Sequence, residues 1–303
     1  MHATRPPRWQ LLIAFAIIYC VWGSTFYAIR VGVHEVPPLL LAAARFTVAG
    51  ALLFIWAAAR GERLPSRREW AATAVVAVLI FVIDYGLLFW AETRVPSGTA
   101  AVILATIPAF MALAEILFLR TERLTVRLGA ALLTGLAGVV VLVDPGLGVA
   151  GAPVYFLGAA GLLVGAVSWS GASMLSKKLP LPASKVTSAA AQMLVGGLLL
   201  CVVAAASGEA RGFHAGEVSA GAWAALAYLI VAGSIVGFTA YTWLLHHESP
   251  TKVGTYAYVN PVVAVVLGHL LGGEALDSRT VLGTALVLCS VIVITTRRKA
   301  SPT

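Results

Sequence analysis

Runs of about twenty apolar residues recur along the whole chain, separated by short turns rich in Pro, Gly and Arg. A helix needs about 20 such residues to cross the hydrocarbon core of a bilayer. Helix is the expected structure because its backbone groups stay paired in lipid, and no run alternates as the strands of a barrel do. The pattern predicts ten spans, at residues 10–33, 38–59, 69–92, 96–119, 128–144, 153–176, 186–206, 218–245, 252–271 and 280–296.

The first five spans are echoed by the last five. Trp22 and Arg45 are 23 positions apart, as are Trp169 and Gln192. Further matching positions, offset by 147 to 156 residues, are Gly50 with Gly197, Trp70 with Trp223, Tyr85 with Tyr241, Gly98 with Gly254 and Thr99 with Thr255. An odd number of spans in each copy makes the second copy enter the membrane from the opposite side. Inverted repeats of this kind let secondary transporters build two alternating gates around one midplane site.

Composition excludes a soluble protein. The chain is 60% hydrophobic and 11% charged, whereas soluble domains carry about a quarter charged residues. No segment between the apolar runs is long enough to hold a separate soluble fold. We therefore predict an all-α integral membrane protein with the lipid bilayer as its first partner.

The net charge of +8 comes from turns on one side of the membrane. Sixteen of the 21 Lys and Arg residues fall in alternate turns, while Arg30, Arg94, Arg211 and Arg279 fall on the opposite side. Short basic loops stay cytoplasmic, so both termini are predicted to lie in the cytoplasm. The basic excess is thus a topology signal, and no nucleic-acid partner is expected.

Two charged residues are predicted to lie inside the bilayer. Arg45 lies seven residues after Pro38, and Asp84 lies about as far before Glu92. A lone charge there costs about several kcal/mol, which an ion pair or a polar cavity relieves. Two interpretations stay open: a fixed pair that holds two helices, or a charged element on the outer side that serves transport, with Asp84 taking up protons. Arg45 is answered by Gln192 in the second copy, and Asp84 is answered by no acid.

Prolines interrupt the fourth and ninth spans, which correspond in the two copies. Pro108 and Pro261 each remove a backbone hydrogen bond and free the carbonyl group four residues earlier. Discontinuous helices at corresponding positions indicate a substrate site, here beside Thr106 and Asn260. The alternative interpretation is a pair of packing kinks.

Polar and aromatic side chains near these features form the predicted substrate-binding set. Aromatic residues near helix ends also serve as interface anchors, which is the alternative for some of them. The set comprises Trp22, Ser24, Thr25, Tyr27, Tyr85, Trp90, Thr106, Trp169, Gln192, Tyr241, Tyr256 and Asn260, with Arg45 and Asp84 as the charged element. Cys20, Cys201 and Cys289 show no ligand-like spacing, so neither a metal nor a cofactor is expected.

Several segments together resemble the EamA family of the drug/metabolite transporter superfamily: residues 22–30, 37–46, 95–98, 105–108, 256–265 and 272–274. The resemblance covers nearly the whole chain. It implies a location in the bacterial inner membrane, ten helices in two inverted five-helix repeats, cytoplasmic termini, and a central cavity lined by helices 1, 3, 4, 6, 8 and 9. It also implies export or facilitated movement of amino acids, related metabolites or amphiphilic drugs. The chain departs from the family pattern at Asp84, where close relatives more often carry a small or amide residue. An acid at this position indicates a preference for a cation or a proton.

On this reading the chain divides into a cytoplasmic N-terminus at 1–9, a first repeat at 10–145, a periplasmic linker at 146–152, a second repeat at 153–296 and a basic cytoplasmic tail at 297–303. The predicted function is a secondary transporter for a small-molecule substrate, coupled to protons through Asp84 or, alternatively, a passive facilitator. The oligomeric state stays open, with a monomer favoured because the Gly pairs at four-residue spacing suit packing within one chain.

Two other classes of function remain as alternatives, an intramembrane enzyme and a membrane protein without transport. The enzyme is disfavoured because the sequence has neither a His-Glu-x-x-His zinc motif nor a Gly-x-Ser-x-Gly elbow. An ATP-driven pump is disfavoured because no phosphate-binding Gly-x-x-x-x-Gly-Lys loop occurs.

Overall fold

The computed structural model describes residues 6–114, 116, 125–143, 152–248, 253 and 255–295. The predicted tail at 297–303, and all but the last residue of the predicted linker at 146–152, lie outside these residues. Within the described part of the chain, regular structure is helical throughout and no strand is found. The all-α prediction is therefore confirmed.

We number the helices α1 to α11 in chain order. They are α1 Arg8–Val33, α2 Pro38–Ala59, α3 Arg67–Ala91, α4 Ser97–Leu104, α5 Ile107–Ala114, α6 Val126–Val143, α7 Ala152–Ser176, α8 Lys185–Ala206, α9 at 220–247, α10 Tyr256–Gly272 and α11 Ser278–Thr295. In the described residues, seven apolar helical stretches are long enough to cross a membrane, with α4 and α5 counted as one, and α6, α10 and α11 are shorter apolar helices.

Large apolar side chains cover the outside of these helices. Leu133 is 69% exposed, Val202 64% and Leu270 69%. A protein in water would hide such surfaces, whereas lipid tails solvate them without cost. Together with the apolar length of the helices, this surface identifies a multi-pass membrane protein.

Helices α1, α3 and α9 contain π-helical turns, in which each backbone nitrogen bonds to the carbonyl oxygen five residues earlier. These turns are Ile17–Val21 in α1, Val78–Tyr85 in α3 and Leu229–Val236 in α9. The stretches in α3 and α9 are both eight residues long and lie in helices that correspond in the sequence echo. Such turns are rare and often mark functional sites.

The predicted proline interruptions are only half right. The helix of the fourth span stops at Leu104 and resumes at Ile107, with Thr106 in the break, as Pro108 led us to expect. By contrast, α10 runs through Pro261 without interruption, so the predicted second break is wrong. A proline inside a helix can bend it without ending it, and α1 packs closely at this point, since a Cβ added at Gly23 would lie 3.1 Å from the carbonyl oxygen of Asn260.

Corresponding helices of the two copies pack directly on each other, α2 against α8 and α6 against α11. At the first crossing, Gly50 lies against the backbone of Leu194, where an added Cβ would be 2.7 Å from its Cα. Gly197 lies in the same way against α2, where an added Cβ would be 2.8 Å from the carbonyl carbon of Phe46. Each glycine therefore permits the backbone of the partner helix to approach closely.

Two glutamates join the ends of the same helix pair. Glu62, which follows α2, accepts a hydrogen bond from the Thr187 hydroxyl in the first turn of α8. Glu209, which follows α8, accepts hydrogen bonds from the backbone nitrogens of Leu39 at 2.9 Å and Leu40 at 3.4 Å in the first turn of α2. Each carboxylate lies at a helix N-terminus, where the helix dipole favours a negative charge.

Candidate substrate-binding site

The first part of the candidate site is an aromatic cluster between α1, α9 and α10. The Trp22 ring lies 5.2 Å from that of Tyr241 and 5.2 Å from that of Tyr256, and the two tyrosine rings are 6.1 Å apart. The indole nitrogen of Trp22 donates a 3.0 Å hydrogen bond to the carbonyl oxygen of Gly233, in the π-helical turns of α9. The π-helical turns of α9 thus supply the carbonyl group that holds the indole ring of Trp22 in place.

The second part lies between α2, α3 and α7. The Tyr85 ring meets the Trp169 ring edge to face at 6.1 Å, and its other neighbours are Phe46 at 4.6 Å and Phe81 at 5.8 Å. Tyr85 ends the π-helical turns of α3. Each of the two parts therefore pairs a tryptophan with a tyrosine beside a π-helical stretch.

These two Trp–Tyr pairs occupy corresponding positions in the sequence echo, Trp22 with Trp169 and Tyr241 with Tyr85. Gly233, whose carbonyl oxygen binds Trp22, lies against Arg45, where an added Cβ would be 3.2 Å from Nη2, and the guanidinium carbon of Arg45 lies 5.4 Å from the ring centroid of Tyr85. The two pairs are therefore close together. The rings of the two pairs and that of Tyr256 remain partly exposed. The structure thus brings together five of the predicted aromatic residues.

Arg45 lies between the two pairs and is 3% exposed. Its Nε atom donates a 3.0 Å hydrogen bond to the Ser234 hydroxyl in the π-helical turns of α9. The guanidinium carbon lies 4.8 Å from the ring centroid of Phe46 and 5.4 Å from that of Tyr85, distances typical of cation–π contacts. Arg45 therefore connects the first pair, through α9, to the second.

Asp84 is also buried, at 3% exposed, but it faces another helix. A Cβ added at Gly165 of α7 would lie 2.8 Å from its Oδ1 atom. That oxygen has no hydrogen-bond partner among the described residues. The fixed ion pair with Arg45, one of the two interpretations left open by the sequence, is not formed, because Arg45 extends toward α9 whereas Asp84 points toward α7. The predicted charged element is thus two separate charged side chains.

A further buried charged residue, Glu92, is not predicted from the sequence, in which it only marks the end of a span. It is fully buried, and neither carboxylate oxygen has a hydrogen-bond partner in the described parts of the chain. A guanidinium nitrogen of Arg30 donates to the backbone oxygen of Glu92. An acid at the end of a span is ordinary in sequence, so only the packing distinguishes this one.

Three other predicted residues lie beside the first aromatic cluster. The hydroxyl of Ser24 donates to the carbonyl oxygen of Val21 at 2.8 Å, and that of Thr25 donates to the carbonyl oxygen of Trp22 at 2.6 Å. The side chain of Asn260, in the orientation that satisfies its surroundings, donates to carbonyl oxygens at 3.2 Å each. Those oxygens belong to Ile18, Tyr19 and Tyr256. Asn260 thereby binds α10 to the π-helical turns of α1.

The described contacts of four predicted residues lie away from the aromatic clusters. Tyr27 donates to the carbonyl oxygen of Leu271 at 3.0 Å, and Trp90 stacks under the guanidinium of Arg94 at 3.8 Å. Thr106 donates to the carbonyl oxygen of Ile103 at 2.6 Å, and the Gln192 amide bonds Ser188 on its own helix at 3.0 Å. In the described residues, no three His, Cys, Asp or Glu side chains are grouped to hold a metal ion.

Comparisons with known proteins agree with this architecture. A solved crystal structure with 25% sequence identity superposes with a TM-score of 0.63, covering 95% of this chain and 96% of that chain. The chain is 36% identical over 291 residues to the protein named "Uncharacterized inner membrane transporter YedA" of Escherichia coli (strain K12). This alignment covers 94% of this chain and 92% of the relative.

A second relative is named "Probable terminal-alkyne amino-acid exporter" and comes from Streptantibioticus cattleyicolor. It is 29% identical, over 94% of this chain and 93% of its own length. The sequence also matches the EamA-like transporter family twice, over residues 9–144 and 156–296. These matches confirm the resemblance inferred from the sequence, and the chain belongs to the EamA-like transporter family.

Proposed function

We propose that this transporter is a secondary carrier that moves amino acids, related small metabolites or amphiphilic drugs across the bacterial inner membrane by alternating access. Ten spans form two inverted five-helix repeats, at 10–145 and 153–296, and both termini lie in the cytoplasm. The two repeats rock about a midplane site that opens to each side in turn.

The observation that carries this proposal is the convergence of the two corresponding Trp–Tyr pairs. Trp22 comes from the first repeat and meets Tyr241 of the second, whereas Trp169 comes from the second and meets Tyr85 of the first. Both contacts join different repeats, so relative motion of the repeats changes both at once. A site made of such contacts opens and closes as the repeats move.

The reciprocal packing of α2 and α8 supports the inverted arrangement. Two antiparallel copies related by a twofold axis place corresponding residues in exchanged roles across that axis. Gly50 and Gly197 exchange roles in this way, and so do Glu62 and Glu209. The separate family matches at 9–144 and 156–296 agree with two copies of one unit.

Aromatic walls beside a buried charge suit a substrate with an apolar body and a polar end. The partly exposed rings of Trp22, Tyr85, Trp169, Tyr241 and Tyr256 supply the walls. Amino acids with large side chains and amphiphilic drugs have this character. An amino-acid exporter among the relatives favours the amino acids.

Asp84 couples transport to protons in this proposal. Its Oδ1 atom is buried without a hydrogen-bond partner among the described residues, and no ion pair with Arg45 neutralises it. A carboxyl group in such surroundings is stable when protonated and costly when charged. Protonation and deprotonation of Asp84 thereby change the free-energy difference between conformations in which this side chain is buried and conformations in which it is exposed to water. The alternative is a passive facilitator in which Arg45 and Asp84 only pair. The separate contacts of the two side chains favour proton coupling, and transport that ignores both the pH gradient and the membrane potential would support the facilitator.

The experiment is transport by the purified protein in liposomes. A thermal-shift screen with amino acids, nucleobases and cationic dyes first selects a ligand, since binding raises the apparent stability of the folded state. Wild-type protein is expected to accumulate that ligand when a pH gradient is imposed. Asp84→Asn is expected to lose accumulation, by about tenfold or more, while it keeps downhill exchange.

Asp277→Asn is the matched control, because Asp277 lies in an outer turn and caps α11 by accepting a 2.8 Å hydrogen bond from the backbone nitrogen of Thr280. It should accumulate ligand as the wild type does. If Asp84→Asn still accumulates ligand in response to the gradient, proton coupling at Asp84 is wrong. If the wild type moves no selected ligand, the transport proposal itself fails.

A further inference from the structure

The guanidinium group of Arg45 is buried without a countercharge in contact. None of its nitrogens forms an ion pair within 4.0 Å of a described carboxylate. Its Nη1 atom is fully buried and has no hydrogen-bond partner among the described residues. The hydrogen bond from Nε to Ser234 fixes the orientation of the group but brings no negative charge.

The surroundings compensate the charge only in part. Aromatic faces of Phe46, Tyr85 and Phe89 lie 4.8, 5.4 and 5.9 Å from the guanidinium carbon. Glu92 is also buried, but neither of its carboxylate oxygens has a hydrogen-bond partner among the described residues, and it forms no ion pair with Arg45. Buried charges in proteins are normally paired and hydrogen-bonded, so this arrangement is incomplete without an anion.

The position of Arg45 connects it to the substrate-binding side chains. Arg45 donates to the hydroxyl of Ser234, and the indole of Trp22 donates to the carbonyl oxygen of the preceding residue, Gly233. Gly233 has no side chain beside the guanidinium, and a Cβ there would lie 3.2 Å from Nη2. The ring of Tyr85 contacts both the guanidinium of Arg45 and the ring of Trp169. An anion on Arg45 would therefore lie among the rings of both Trp–Tyr pairs.

We infer that Arg45 binds the carboxylate of the transported solute, which makes carboxylate-bearing aromatic or amphipathic molecules the preferred substrate class. This rests on the proposed transport function and deepens it. The Nη1 donor supplies a charge-assisted hydrogen bond, and the rings of Tyr85, Trp169 and Trp22 hold the apolar part of the solute. Gln192, at the corresponding position of the second repeat, is neutral, and its amide donates to the hydroxyl of Ser188 on its own helix. The second repeat therefore offers no equivalent cation at this position, and the solute carboxylate binds only beside Arg45.

The test compares pairs of probes that differ in charge alone. Indole-3-acetate is paired with indole-3-acetamide, and phenylacetate with phenylacetamide, at equal ionic strength. Thermal unfolding of the detergent-purified full chain is followed as each probe is titrated. For wild-type protein, we expect the carboxylates to raise the Tm by a few degrees and to bind about 10- to 100-fold more tightly than the amides.

Arg45→Gln should remove the preference for carboxylates, and Arg45→Lys should keep part of it, because a lysine retains the charge but not the planar guanidinium. Arg63→Gln is the matched control. Arg63 is 71% exposed and pairs with Glu69 at 2.6 Å outside the site, so this variant should keep the wild-type preference.

Several results overturn the inference. Equal binding of acid and amide by the wild type is sufficient on its own, even if Arg45→Gln does not fold. An unchanged preference in Arg45→Gln would also refute it. If Arg45 only neutralises Glu92, then Glu92→Gln should restore the stability lost in Arg45→Gln, and carboxylates should have no special effect. Binding of neutral or cationic ligands without carboxylates would leave the transport proposal intact while this inference fails.

Discussion

The two Trp–Tyr pairs share one geometry and differ in their chemistry. Around Trp22 and Tyr241 the neighbours are Tyr256, Phe238 and the carbonyl oxygen of Gly233. Around Trp169 and Tyr85 they are the rings of Phe46 and Phe81 and the buried guanidinium of Arg45, which has no counterpart among the described residues around the first pair. Two copies of one unit thus keep the contacts that hold the bundle together and diverge where the solute is expected to lie. Asymmetry between repeats is therefore a guide to function in this chain.

Breaking the shared scaffold should have the largest effect. Gly50→Ala and Gly197→Ala each place a methyl group against the backbone of the partner helix, so each should lower the stability of the protein by about 1–3 kcal/mol. Thermal unfolding in detergent measures the loss. Gly171→Ala is the control, because an added Cβ there meets nothing within 4 Å. Two similar losses support the exchanged roles of the two glycines, and tolerance of either substitution would contradict them.

Substitution of the tryptophans should reveal the difference between the pairs. Trp22→Phe removes the 3.0 Å hydrogen bond to the carbonyl oxygen of Gly233 as well as ring area, whereas Trp169→Phe removes ring area from its contact with Tyr85. A carbonyl group left without its partner in a buried place costs about 1–3 kcal/mol. We expect Trp22→Phe to be the more destabilising by about 1 kcal/mol, as read from unfolding midpoints. Equal midpoints would mean that the indole hydrogen bond contributes nothing to stability.

The smallest effect concerns the glutamates at the ends of α2 and α8. Hydrogen bonds from the Ser184 and Thr187 hydroxyls hold the pKa of Glu62 below its ordinary value. On acidification the unfolded chain therefore takes up a proton at this residue before the folded chain does, and the stability from Glu62 is lost.

We expect Glu62→Gln to be less stable than the wild type by up to about 1 kcal/mol at neutral pH, a value typical of helix caps. That difference should shrink as the pH falls below about 4, the ordinary range of a glutamate. Unfolding midpoints measured between neutral pH and about pH 3 test this. Glu209→Gln is the comparison at the other end of the helix pair, where backbone nitrogens are the donors. A difference that does not change with pH would rule out the carboxylate as its source.

Much of the fold follows from the sequence because apolar length and turn residues are local signals. The second span was predicted at 38–59, and α2 is observed at Pro38–Ala59. Pro38 occupies the first helical position, which proline favours, and the last turn ends before Gly61, whose φ of 77° suits glycine alone. The break beside Pro108 was predictable for the same reason.

The partners of the buried side chains were harder to predict. The interpretation of Arg45 and Asp84 as an ion pair rested on their similar depth in the membrane, and similar depth does not imply contact. Depth gives the position of a side chain along the membrane normal, whereas its direction around the helix axis depends on whether the turns are α-helical or π-helical. The two kinds of turn place the same residues on different faces of the helix, and no proline or charge in Leu229–Val236 indicates that these turns are π-helical. The contact between Arg45 and Ser234 was therefore not predictable from the sequence.

The glycine crossing of α2 and α8 has a mechanical consequence. In the proposed rocking of the repeats, sliding of α2 along α8 would bring other side chains against the backbone contacts at Gly50 and Gly197, so this crossing favours rotation about a nearly fixed pivot. A chemical crosslink across the pivot should accordingly leave transport intact. A crosslink between positions 22 and 241, which belong to different repeats, should arrest it.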